Sequence, residues 1–108
     1  MEDQNKKIQE MQFLEQHLQN LLMQKQAFQM ELSETISALK EIENATGEVH
    51  KIIGQLMIKA DKTKTIEELK NKEKLLILRM GSLDKQEEEL TEKANNLRDE
   101  LMGSIDKE

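Results

Sequence analysis

Reactive side chains are numerous in this 108-residue sequence, but their types and spacing do not make a catalytic set. The two histidines, His17 and His50, lie far apart, and neither has the nearby ligands that a zinc site needs. The chain has no cysteine, which excludes disulfides and thiolate metal sites and fits a reducing compartment. No Gly-rich phosphate loop and no Ser/His/Asp set at usable spacing is found. We therefore expect no enzyme activity, no cofactor and no metal.

Charge and hydropathy limit the classes of partner that this chain can have. The formal net charge is −6, and charged residues make up 35% of the chain. Because neutralising nucleic-acid phosphates requires clustered Lys and Arg, this balance argues against nucleic acid as the main partner. The polar segment Met1–Lys7 does not resemble a signal peptide, and no apolar run approaches the ~20 residues that span a bilayer. We expect a cytoplasmic protein that binds neither nucleic acid nor membrane.

A short stretch near the middle is typical of β-structure. Two runs of β-forming residues, Val49–Ile53 and Leu56–Lys59, flank the spacer Gly54-Gln55, and a two-residue loop that begins with Gly predicts a type II′ hairpin turn. A two-stranded hairpin alone is marginal in water, so we expect hairpins from other chains to complete it. The residues expected to carry this assembly are Val49, Ile52, Ile53, Gly54, Leu56, Met57 and Ile58.

The rest of the sequence is typical of long helices. It contains no proline, and its apolar residues recur on heptad seams, which argues against the disorder that so charged a chain would otherwise suggest. The first helix, about 3–45, has its seam at Met11, Leu18, Lys25, Leu32 and Leu39, and at Leu14, Leu21, Phe28, Thr35 and Ile42. The second, about 62–102, has its seam at Leu69, Leu76, Leu83, Leu90 and Leu97, and at Ile66, Glu73, Met80, Glu87, Ala94 and Leu101.

These elements predict an all-α dominated fold, in which a hairpin region at about 48–60 joins two antiparallel helices into a single unit of residues 1–108. One register brings every seam position to a partner, so that Phe28 faces Met80. Lys25 and Glu87 then lie one layer apart and can pair across the seam. We interpret that pair as specifying the register rather than as a chemical site. Asp61 and Thr63 are both candidate N-caps of the second helix.

In this register the two chain ends meet at one tip, away from the hairpin. Phe13 and Met102 lie off the seam there, so the helix pair cannot cover them. Exposed Met and Phe side chains suit adaptable contacts and indicate a binding surface, although ordinary fraying of a helix end is the alternative. The tip residues expected to contact a partner are Ile8, Met11, Phe13, Leu14, Leu97, Leu101, Met102 and Ile105.

Several of these segments resemble the prefoldin family, and specifically its beta-type subunit of the archaeal kind. In the first helix the similar segments are Gln24–Gln26, Glu31 and Ala38–Glu43. In the hairpin they are Val49–Gly54 and Leu56–Lys59, with His50 where Tyr is common. In the second helix they are Glu67–Leu69, Leu78-Arg79, Leu83 and Lys85–Glu87, whereas Gly81 departs from the polar residue usual in the family. The single hairpin implies the beta type, because alpha-type subunits carry two.

The resemblance implies an ATP-independent molecular chaperone. In that family two alpha-type and four beta-type subunits join their hairpins into a double β-barrel from which six coiled-coil arms extend. The tips of the arms hold unfolded polypeptide and deliver it to the group II chaperonin. The implied partners are therefore an alpha-type subunit, further beta subunits, unfolded client proteins and the chaperonin.

Two alternatives belong to other classes. A structural coiled-coil tether or adaptor would dimerise through its helices, and its assembly would survive mutation of the hairpin. A nucleic-acid-binding helical protein would need a basic face. The most basic section, residues 46–65, has a surplus of Lys that is too small for that role.

Overall fold

Two long helices and a short hairpin account for nearly the whole chain. The computed structural model describes residues 2–106, and the side chains of residues 2–103. Helix α1 spans Glu2–Asn44, strands β1 and β2 span Val49–Ile53 and Leu56–Ala60, and helix α2 spans Lys62–Asp106. The absence of proline and the many Glu, Lys, Leu and Gln residues favour such uninterrupted helices. The predicted all-α dominated fold with a central hairpin is confirmed.

Specific residues explain where α2 begins and where α1 ends. At the start of α2, Asp61 Oδ1 accepts hydrogen bonds from the backbone N–H groups of Thr63 at 3.0 Å and Lys64 at 3.4 Å. Asp61 is therefore the N-cap, which decides between the two candidates. Helix α1 ends at Asn44, and Gly47 follows with a φ of 102°, a conformation in which glycine has no Cβ to clash.

The hairpin has the predicted two-residue turn. Val49 pairs with Ala60 and Ile53 pairs with Leu56 in an antiparallel register, which leaves Gly54 and Gln55 as the loop. Gly54 has a φ of 60°, and among the described residues only Gly47 and Gly54 have a positive φ. A positive φ at the first loop residue alone is the signature of a type II′ turn.

The chain divides into two compact units. The end unit combines residues 1–27 with residues 81–108, and the hairpin unit comprises Phe28–Met80. In each, a segment of α1 packs against a segment of α2, and every predicted seam residue of both helices is buried or half-buried. The most buried apolar residues are Leu21, Leu39, Ile42, Leu76, Leu83, Ala94 and Leu97. The interpretation of residues 1–108 as one domain stays a prediction.

Cross-helix ion pairs agree with the predicted register. In the end unit, Lys25 Nζ lies 2.7 Å from Asp84 Oδ1 and 2.8 Å from Glu87 Oε2. In the hairpin unit, Lys72 Nζ lies 3.2 Å from Glu31 Oε1. A shift by one heptad would displace such partners by about 10 Å along the helix, so these contacts exclude it. The predicted pairing of Lys25 with Glu87 is confirmed, and Asp84 is a second partner that the seam pattern did not indicate.

Candidate interaction surfaces

The end unit brings the two chain ends together. Lys7 Nζ lies 3.5 Å from Glu100 Oε2, across the two helices. Of the residues predicted for the tip, Ile8, Phe13 and Met102 are exposed, and Phe13 leaves 71% of its surface accessible. The remaining described members face the seam and are buried or half-buried, namely Met11, Leu14, Leu97 and Leu101. The side chain of Ile105 lies outside the described residues. We call these eight residues the tip surface.

The helices frame an open groove beside this surface. Its volume is about 700 Å³, and Phe13, Leu14 and Leu97 form its apolar part. Polar side chains from both helices line the rest, namely Lys6, Gln9, Glu10, Lys93, Asn96 and Glu100. We call it the tip groove. An apolar strip beside amide and charged groups can accept both the side chains and the backbone of an extended peptide.

Phe13 lies at the edge of this groove and stays accessible. Its only described ring neighbour is His17, one turn along α1, at 6.2 Å between ring centroids in an edge-to-face arrangement. Because an i, i+4 contact on the same helix covers little of the ring, Phe13 is free to contact another molecule.

The hairpin is a second apolar surface. Ile52, Ile53, Leu56, Met57 and Ile58 are all exposed, with 74% of Ile52 and 67% of Leu56 accessible, and Val49 is half-buried. The described sheet has two strands, so each strand has one edge without a partner in the sheet. Unpaired strand edges and a contiguous apolar patch are both features that proteins cover by association.

Polar contacts hold the hairpin against the helices of its unit. Lys51 Nζ donates to Glu68 Oε2 at 2.5 Å, which ties β1 to α2. Lys62 Nζ donates to the carbonyl oxygen of Ala45 at 2.8 Å, which ties the start of α2 to the segment after α1. These contacts fix the base of the hairpin and leave its turn and its apolar side chains accessible.

The described residues include no cluster of metal-ligating side chains. No group of three or more His, Cys, Asp or Glu residues among them is arranged to hold a metal ion. His17 lies in α1 and His50 in β1, and both residues are exposed. The clearest electrostatic perturbation is at Lys25, whose pKa is raised above 10.5 by hydrogen bonds to Asp84 and then Glu87.

No helix within the described range is both long and apolar enough to cross a membrane.

The chain is similar to known proteins in both sequence and structure. The family model described as "Prefoldin subunit" matches residues 5–108. The chain belongs to the prefoldin family. It is 39% identical to prefoldin subunit beta of Thermococcus onnurineus over 93 residues, which cover 84% of this chain and 80% of the relative. It is 32% identical to that of Methanosarcina acetivorans over 100 residues, which cover 91% of this chain and 86% of the relative.

Solved prefoldin structures agree with this assignment. The crystal structure of the prefoldin beta subunit from Thermococcus strain KS-1 aligns with a TM-score of 0.86 at 34% identity, covering 94% of this chain and 91% of that one. The beta2 subunit from the same strain aligns with a TM-score of 0.71 at 18% identity, a likeness of fold alone. The predicted resemblance to a prefoldin beta subunit is confirmed. The chain is a prefoldin-type chaperone subunit and assembles with other prefoldin subunits.

Sequence reasoning did not identify the basic and amide side chains in the walls of the tip groove, namely Lys6, Gln9, Lys93 and Asn96. Lys6 and Phe13 are seven residues apart on α1, as are Lys93 and Glu100 on α2, so each pair lies on one helix face beside the seam. The seven-residue spacing is visible in the sequence and indicates that each pair shares a helix face. It indicates a groove only when the register of the two helices brings the α1 face and the α2 face together.

Further exposed apolar side chains lie elsewhere on the helices. They are Leu22, Met23, Met30, Ile36, Leu75, Ile77 and Leu78. The heptad pattern explains the seam, and it assigns no role to apolar residues outside it.

Proposed function

We propose that the chain is a beta-type subunit of a hexamer of two alpha-type and four beta-type prefoldin subunits. The complex holds unfolded polypeptide at its tip surfaces without ATP and delivers it to a group II chaperonin in the cytoplasm. The observation that carries this proposal is the exposure of apolar side chains at two separate places, the hairpin and the tip surface. One place serves assembly, and the other serves client binding.

The chemistry of the tip groove supports a client that is unfolded rather than one defined sequence. Phe13 and Met102 offer polarisable, adaptable contacts, and the amides of Gln9 and Asn96 can donate and accept hydrogen bonds with any peptide backbone. The groove is open and has few enclosed apolar atoms, so a single contact is weak. Several copies of the tip surface in one complex increase the affinity through avidity.

Assembly through the hairpin is supported by the area that it would bury. Each fully buried Ile, Leu or Met side chain contributes about 1.5–3 kcal/mol relative to an exposed one. Five such side chains on one hairpin would contribute about 7.5–15 kcal/mol, which is of the same order as the association cost of about 4–15 kcal/mol. Closing strand edges into a barrel also removes the aggregation hazard of an exposed edge.

Light scattering from an unfolding test protein measures the holding activity. The complex of this chain with an alpha-type partner is expected to suppress aggregation without added ATP. The double variant Phe13→Ser/Met102→Ser is expected to lose most of this suppression, because both side chains are exposed on the tip surface. This double variant keeps the hairpin unchanged, so its complex should form normally.

The matched control is Met23→Ser/Met30→Ser, which removes two similarly exposed apolar side chains of α1 outside the tip surface. It is expected to suppress aggregation as the wild type does. Equal losses in the two double variants would show that client binding is not located at the tip. Absence of suppression by the assembled wild-type complex would refute the holding function itself.

A further inference from the structure

Methionine is the main oxidisable side chain of this protein. The sequence contains seven methionines and no cysteine, tryptophan or tyrosine. Hydroperoxides oxidise the sulfur of a thiol or of the methionine thioether. Because no thiol competes for the oxidant, oxidation of this chain by a hydroperoxide is directed to its methionines.

The described methionines differ in exposure. Met11 and Met80 are half-buried seam residues, so packing between the helices shields them. The other described methionines leave more than half of their surface accessible. An oxidant must reach the sulfur atom, so these exposed residues react first. They are Met23, Met30, Met57 and Met102.

Met102 differs from the other exposed methionines in its position. It belongs to the tip surface, and 59% of its surface is accessible. Met57 is also exposed, but it lies on β2, which we expect other subunits to cover. Met23 and Met30 lie on α1 outside both the hairpin and the tip surface. Among the described residues, Met102 is therefore the exposed methionine whose oxidation would alter the client-binding surface of an assembled complex.

The reaction at Met102 requires a hydroperoxide and no other reactant. A lone pair of the thioether sulfur attacks one peroxide oxygen, so that an S–O bond forms and the O–O bond breaks. With hydrogen peroxide, the proton of the transferred oxygen moves to the second oxygen, which leaves as water. The sulfur loses two electrons, the peroxide gains them, and the product is methionine sulfoxide.

Oxidation of Met102 would change contacts at the tip surface and leave the helix pair packed. The S=O group is a polar hydrogen-bond acceptor, so covering it with an apolar client side chain is unfavourable. The same oxidation replaces a flexible apolar side chain, which suits adaptable contacts, with a polar one. Met102 lies off the seam, and its seam neighbour Leu101 is half-buried and is not modified. The modification therefore acts on client contact rather than on the packing of α1 against α2.

We propose that Met102 is an oxidative modification site, at which hydroperoxides weaken the holding of unfolded polypeptide by the assembled complex. The modification is reversible, because methionine sulfoxide reductases return each sulfoxide epimer to methionine with electrons from a dithiol. Client holding at the tip surface then follows the oxidation state of this side chain. The inference rests on the proposed function, and it adds a chemical control of the tip surface.

Peptide mass spectrometry tests whether Met102 is modified. Trypsin cleaves after Lys and Arg, so Met102 lies in the peptide of residues 99–107 and Met30 in that of residues 26–40, and neither peptide contains a second methionine. The complex with an alpha-type partner is treated with dilute hydrogen peroxide. We expect both peptides to gain one oxygen at similar rates, since both methionines are exposed. An unmodified Met102 in a complex whose Met30 is fully oxidised would overturn the proposal.

Light scattering from an unfolding test protein measures the effect of oxidation on holding. Peroxide treatment of the wild-type complex is expected to raise the concentration that gives half-maximal suppression about fivefold, as loss of one apolar contact per copy would. Met102→Leu keeps an apolar side chain and removes the sulfur, so its complex should lose little suppression on treatment. Met30→Leu is the matched control and should lose suppression as the wild type does. Each complex is compared with its own untreated sample, and the alpha-type partner contributes the same methionines to all of them.

Equal losses of suppression in the wild type and Met102→Leu would overturn the proposal, as would full holding by a complex whose Met102 is oxidised. Circular dichroism should show that the treated wild-type complex keeps its helicity, and a loss of helicity would refute an effect on client contact. Both epimer-specific reductases with a dithiol should restore suppression, and a loss that persists after Met102 is reduced would also count against the site. Failure of the proposed function gives a different result, because the untreated wild-type complex would then not suppress aggregation.

Discussion

Asp61 determines where α2 begins, and Lys25 helps to determine the register between α1 and α2. Asp61 begins α2 by accepting two backbone N–H groups, which would otherwise lack partners at the helix start. Lys25 occupies a seam position where an apolar residue is usual, and it pairs with two carboxylates of α2. Relative to an apolar pair, a charged pair on a seam costs stability, but it excludes other registers, which is the role that we infer for Lys25.

Replacement of the cap is expected to destabilise α2. Asp61→Ala removes both side-chain hydrogen bonds and should lower the free energy of unfolding by about 1 kcal/mol. The measurement is urea denaturation followed by circular dichroism. Thr63→Ala is the matched control, and it should be neutral within about 0.5 kcal/mol because Thr63 is exposed and does not cap. A larger loss in Thr63→Ala than in Asp61→Ala would contradict this assignment.

The contribution of Lys25 should depend on pH. Hydrogen bonds to Asp84 and Glu87 raise the pKa of Lys25 above 10.5 in the folded state. Its stabilisation is therefore fully present below pH 10.5 and is lost as the pH rises through the higher folded-state pKa. Lys25→Met should lower Tm at neutral pH, and its difference from the wild type should shrink in strongly alkaline solution.

A double variant serves as the control for Lys25. Lys25→Met leaves the half-buried carboxylate of Glu87 without its partner, whereas Lys25→Met/Glu87→Leu replaces this pair with apolar side chains. The double variant should recover the Tm lost by the single variant. A wild-type-to-Lys25→Met difference that stays constant with pH would show that titration of Lys25 is not involved.

At the scale of elements, the long helices and the hairpin have different sources of stability. The helices bury continuous seams against one another and contain strong helix formers. The two-stranded hairpin has little cover for its apolar side chains, and it depends on its turn, its anchoring contacts and association. Its type II′ turn requires Gly54, because the positive φ there is unfavourable for residues with a Cβ.

Gly81 is the weak point within α2. It lies in the helix interior, and a Cβ added there would meet no atom within 4 Å. Gly81→Ala is therefore expected to raise the free energy of unfolding by about 1 kcal/mol. Chemical denaturation measures this change. Gly54→Ala should have the opposite sign, because its backbone is in the positive-φ region. A destabilised Gly81→Ala variant would indicate that the position requires glycine for another reason.

At the scale of the whole molecule, the hairpin and the tip surface are two of the places where apolar side chains are exposed. The packing of the two helices covers neither the hairpin nor the exposed side chains of the tip surface. The chain assembles with other prefoldin subunits. Under the proposed function, a substitution in the hairpin should change assembly and leave client binding unchanged, and a substitution in the tip surface should do the opposite.

A charge on the hairpin is expected to prevent assembly and leave the helices intact. Ile53→Asp places a carboxylate where we expect apolar contact, and its burial would cost several kcal/mol. The mass of the co-purified complex measures assembly, and circular dichroism measures helicity. Met23→Asp, at an exposed position of α1, should assemble as the wild type does. A wild-type complex from Ile53→Asp would favour the tether interpretation.

The sequence by itself determined the elements, the seams and the family. Heptad spacing indicates which helix face is buried, and Gly54-Gln55 between β-forming runs specifies the turn, since both signals are local. Tertiary structure decided what depends on two segments at once. It identified Asp61 as the cap, added Asp84 to the pair at Lys25, and placed the walls of the tip groove together. It also left the buried hydroxyl of Thr65 without a hydrogen-bond partner among the described residues, because hydrogen-bond satisfaction depends on atoms brought close by packing.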